Sequence, residues 1–74
     1  MDYEKKIEYR ETVFLACIDK KGCINIKKTA KRLCWSIQKV VSVGKLLERK
    51  GVVEKYGYEI MGIFYLKGFS IRNF

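Results

Sequence analysis

A chain of 74 residues, 49% of them apolar, has room for a single small domain spanning residues 1–74 with a modest core. It has no His, no apolar run long enough to span a bilayer, and three cysteines without CxxC spacing. A catalytic triad, a zinc site, a cofactor and a membrane span are therefore not expected, and the chain reads as cytoplasmic and non-enzymatic. The net charge of +8 is segregated: residues 1–19 hold three Lys/Arg and five Asp/Glu, residues 20–50 hold ten Lys/Arg against Glu48, and residues 51–74 hold three against two. A basic block of this kind suits a polyanion, most commonly nucleic acid, with an anionic membrane surface as the weaker alternative.

In chain order, Asp2 to about Lys20 predicts a first helix. Tyr3, Ile7, Phe14 and Ile18 share one face, flanked by Leu15 and Cys17. Asp2, Glu4 and Glu8 crowd its start, and Lys20 and Lys21 its end, as the helix dipole prefers. Tyr9, Val13 and Ala16 make a second apolar stripe, so the helix has two sides to cover. Lys21-Gly22 reads as a turn and Cys23-Ile24 as a very short strand.

Asn25 is placed to cap a second helix, from Ile26 to about Leu33. Ile26, Ala30 and Leu33 form its buried side. Lys27, Lys28, Lys31 and Arg32 line the other in two pairs four residues apart, and their mutual repulsion would be relieved by a bound anion. A tight connection through Cys34 and Trp35, without the frequent Gly, leads to a third helix over residues 36–50. Ser36 is its cap, and Trp35 with Val40 has the spacing of a hydrophobic staple. Val40, Val43 and Leu47 fall on one side; Gln38, Ser42, Lys45 and Arg49 fall on the opposite one. Gly51 is where a left-handed residue ends the helix.

After Gly51 the residues favour strands. The pattern predicts a hairpin with strands near 52–57 and 62–67, a tip within Gly57–Gly62, and a break at Gly68. Phe69–Phe74 then reads as a short aromatic tail. The three thiols read as buried and free, with a Cys17–Cys23 bridge as the alternative.

The segments GCINIKKTAKRLCW (Gly22–Trp35) and SIQKVVSVGKLLERKGVVEK (Ser36–Lys55), closed by GIFYLKG (Gly62–Gly68), resemble the winged helix-turn-helix family over roughly Tyr3 to Gly68. The size, the Lys/Ile/Tyr richness and the missing His and Pro look like small archaeal or archaeal-virus transcriptional regulators, which would put a viral protein in the host cytoplasm. The resemblance implies an α+β fold of three helices with a C-terminal two-stranded β-hairpin wing. It also implies binding to double-stranded DNA, with the third helix in the major groove.

On that basis Ser36, Gln38, Lys39, Ser42, Lys45 and Arg49 would face the groove. Gln38, Ser42 and Lys45 are the candidates for base edges. Lys27, Lys28, Lys31, Arg32, Lys39 and Arg49 are the candidates for phosphate. Lys55 is the one cation near a wing tip that otherwise reads Tyr-Gly-Tyr-Glu-Ile-Met. A winged helix serving as a protein–protein module is the second reading, favoured by that apolar tip. Homodimerisation is expected through Tyr9, Val13 and Ala16 together with the tail residues Phe69, Ile71 and Phe74, the alternative being a monomer whose tail folds back over that stripe.

Overall fold

Phe14, Ile24, Val40, Leu47, Val53 and Phe69 have no solvent exposure, and six elements are arranged around them. The fold is that of a computed structural model whose described residues are 7–72. The order is α1 (Tyr9–Leu15), β1 (Cys23–Asn25), α2 (Ile26–Leu33), α3 (Ile37–Arg49), β2 (Val53–Ile60) and β3 (Ile63–Ile71). The strands form one antiparallel sheet in the order β1-β3-β2. None of the helices among the described residues is long and apolar enough to cross a membrane.

Both caps expected of α2 and α3 form. Asn25 Oδ1 accepts the Lys28 N–H at 2.9 Å, and Ser36 Oγ accepts the Lys39 N–H at 3.1 Å. Val40, Val43 and Leu47 turn inward, and Gly51 follows α3 with φ 79°. The Phe69 ring lies directly on Gly44 of α3, where a Cβ would overlap it, and meets Phe14 edge-on at 6.0 Å. Helix and sheet thus approach at a position that admits no side chain.

The first helix is shorter than its apolar pattern suggests. Asp2, Tyr3 and Glu4 lie outside the described residues. Glu11 accepts the Glu8 N–H at 2.7 Å, half of a capping box that fixes the start at Tyr9. Ile7 therefore precedes the helix and is exposed. At the other end the Asp19 carboxylate accepts the Lys21 and Cys23 N–H groups at 2.8 and 2.9 Å. That side-chain turn competes with the helical ladder; α1 ends at Leu15, and residues 16–20 of the expected helix lie outside it.

Gly68 does not break the last strand. It sits in β3 opposite Asn25 and Tyr56, and the strand runs on to Ile71. Phe69 is consequently a core residue and Ile71 packs against the core; neither belongs to a free tail. Phe74 lies outside the described residues. The expected dimer surface loses these two residues for a physical reason: β1 needs a partner, and residues 68–70 supply it. The hairpin turns at Met61-Gly62, with φ 52° and 81°, the two positive values of a tight I′-type connection. Gly57 lies inside β2 beside a register shift, not at the turn. The thiols are free, as read, but none is buried: Cys17 and Cys23 are half-buried and Cys34 is exposed.

Candidate nucleic-acid interface

The α2–α3 corner is made by one left-handed residue. Cys34 adopts φ 57°, the conformation for which Gly is commonly used, and the Trp35 N–H returns to the Ala30 carbonyl at 2.9 Å. Trp35 is half-buried and packs on the core. The Lys39 ammonium lies 4.4 Å from the centre of its ring, a cation–π contact that holds one basic side chain close to the corner.

With Val40, Val43 and Leu47 facing the core, Gln38, Lys39, Ser42, Lys45 and Arg49 are all exposed, as is the cap Ser36. The structure therefore brings the expected groove-facing set onto one helix. Ile37 is exposed beside them, so the face has an apolar member that the polar pattern did not single out. An amide, two hydroxyls, two ammonium groups and a guanidinium can donate to base edges and to phosphate oxygens.

Lys27, Lys28, Lys31 and Arg32 are likewise exposed. Ile26, Thr29 and Ala30 are the buried residues of α2, so Lys28 and Arg32 stand on one flank of the helix and Lys27 and Lys31 on the other. The Lys28/Arg32 flank borders an open groove of about 560 Å³, whose lining also includes Lys20, Lys21, Lys67 and Tyr56. These last three lysines were missed as candidates. They lie in a turn and in a distant strand, and only the pairing of β1 with β3 brings them to the same groove. The groove's acid is Asp19, held below the ordinary carboxylate range mainly by the Cys23 N–H, assisted by the Lys21 N–H and by the charges of Lys21 and Lys28.

Lys55 is exposed on β2, opposite Phe69 and well before the hairpin turn. It does not join the others on α2 or α3. Lys50 does something different from its neighbours in the basic block. Its ammonium reaches both oxygens of Glu11, at 2.7 and 2.9 Å, and ties the end of α3 to α1. Among the described residues none of the candidate interface side chains belongs to an ion pair. Asp19 is the acid beside Lys28 in the groove. Comparison with protein-family models, with curated proteins and with solved structures finds no match to this chain.

Proposed function

We propose that this chain is a sequence-specific double-stranded DNA-binding protein of winged helix-turn-helix type, acting as a transcriptional regulator. In this reading α3 enters the major groove, and the β2–β3 hairpin is the wing. One observation carries the reading: a capped helix presents Gln38, Ser42, Lys45 and Arg49 to solvent, next to a second helix with four exposed cations that form no ion pair among the described residues. A dense set of exposed cations is what binding to phosphate requires. An amide and a hydroxyl at helical spacing are what reading of base edges requires.

Gln38 pairs most naturally with adenine and Lys45 with guanine. Lys27, Lys28, Lys31, Arg32 and Arg49 supply affinity by releasing counterions. The test is a fluorescence-anisotropy titration, first on mixed-sequence duplexes at low and raised salt and then on a site selected from a random pool. Gln38→Ala should weaken binding to the selected site by about 1–3 kcal/mol and relax preference at one position. Equal losses on selected and random duplexes would reduce Gln38 to a backbone contact. A lack of binding at low salt would end the DNA reading.

A further inference from the structure

The distal half of the hairpin exposes a run of large apolar side chains. Tyr58, Ile60, Ile63, Phe64 and Tyr65 are each about half exposed, and Met61 is 95% exposed. Tyr58 is opposite Tyr65 and Ile60 is opposite Ile63 in an uninterrupted register, so these four side chains share one face of the ribbon. The two tyrosine rings stack, with centroids 5.6 Å apart and planes 18° from parallel. Glu59, the single charged residue between Tyr56 and Leu66, belongs to the opposite face with Phe64.

We propose that two copies of this chain pair through the hairpin face that carries Tyr58, Ile60, Ile63 and Tyr65, with Met61 at its apex. Three observations favour a second copy as the occupant. The first is area. Five half-exposed or fully exposed large side chains offer on the order of 500–600 Å² per copy, so a pair would bury about 1,100 Å², which clears the roughly 1,000 Å² asked of a biological interface and stands at the small end of the range.

The second is charge. Each copy carries +8, and two copies can approach closely only through a surface without like charges. This face has none, whereas the exposed sides of α2 and α3 are basic. The third is the turn residue. A tight turn with two positive φ values favours Asn or Asp before Gly, yet Met61 holds that position at φ 52° and is almost wholly exposed. A local cost of this kind is typical of positions that serve a contact. A two-fold pairing of a face with itself is the commonest closed arrangement. This inference goes beyond the DNA reading and does not depend on it.

Sedimentation equilibrium of the full chain at micromolar concentration, without DNA, tests the proposal. The wild type should have twice the monomer mass. Ile60→Glu should return it to monomer with an unchanged circular-dichroism spectrum, and Val13→Glu, on the α1 stripe, should leave it a dimer. Met61→Lys, at a site open to solvent, keeps the test valid if Ile60→Glu does not fold; it should raise the dissociation constant by about tenfold or more. A monomeric wild type overturns the proposal. So does a dimer dissociated by Val13→Glu and untouched by Met61→Lys. Flotation of a monomeric wild type with phospholipid vesicles, lost on Met61→Lys, would assign the face to lipid and overturn it as well.

Discussion

Glu11 is the acidic side chain that the fold removes from water, and its environment sets its protonation. Burial alone would raise its pKa; the Glu8 N–H and then the Lys50 ammonium outweigh burial and hold it below the ordinary glutamate value. Because the folded pKa lies below the unfolded one, ionised Glu11 stabilises the fold at neutral pH. That contribution is lost as pH falls from the ordinary glutamate value through the folded pKa. Glu11→Ala should destabilise by about 3–5 kcal/mol, as for other buried pairs that lose one member, and should flatten the acid limb of a stability–pH profile measured by urea unfolding. An unchanged acid limb would show that Glu11 is not the group titrating there. Nothing local marks this residue: Glu11 falls inside the helix expected from Asp2 to about Lys20, and the pairing that keeps it charged is with Lys50, 39 positions away. Cys34 was also hard to read, because its left-handed backbone carries none of the glycine signal expected at such a corner.

At the scale of elements, α2 and α3 were legible because their signals are local. A cap three residues before a hydrogen-bonded amide and a period of 3.6, with a terminal glycine for α3, all lie within one segment. The last strand was not legible in the same way. Gly68 looks like a breaker in one dimension, and its place inside β3 becomes apparent only with β1 and β2 on either side. Gly44 falls on the buried side of α3 by its spacing from Val40 and Leu47, but that its place admits no side chain becomes apparent only once the Phe69 ring is placed on it. Two substitutions test this packing. Leu47→Ala removes a side chain with no exposure and should cost about 2–5 kcal/mol in chemical denaturation. Gly44→Ala should also destabilise, by about 1–3 kcal/mol from overpacking, despite the better helix propensity of Ala. Stabilisation by Gly44→Ala would mean that α3 and β3 are not in contact there.

Over the whole molecule the outstanding property is the separation of a basic side from an apolar hairpin. The first was legible as a charge block between residues 20 and 50, although Lys50 turned out to be paired inward and Lys67, from outside the block, joined the groove beside Lys28 and Arg32. The second was legible as an uncharged tip, while its exposure depended on where the strands ended. If the basic side binds duplex DNA, the logarithm of affinity should fall with the logarithm of salt at about −0.9 per phosphate neutralised. Lys28→Glu with Arg32→Glu should weaken binding to all sequences alike and reduce that slope by about two. A loss confined to one preferred sequence would instead assign these two residues to base contacts.

The pairing of β1 with residues 68–70 also orders events in time. The two-residue turn between β2 and β3 closes with little loss of chain freedom, whereas joining Cys23 to Ser70 closes a loop of more than forty residues. That difference amounts to about 3 kcal/mol of loop-closure entropy. The helical pair and the hairpin can each form from neighbouring residues; β1 can add to β3 only when both exist. That closure is therefore entropically costlier than forming the hairpin. Until it happens Ile24 and Phe69, later the sealed centre of the domain, remain in water together with the hairpin's exposed face. Exposed apolar surface beside an unpaired strand edge is what promotes aggregation, and a chain without that closure would carry both.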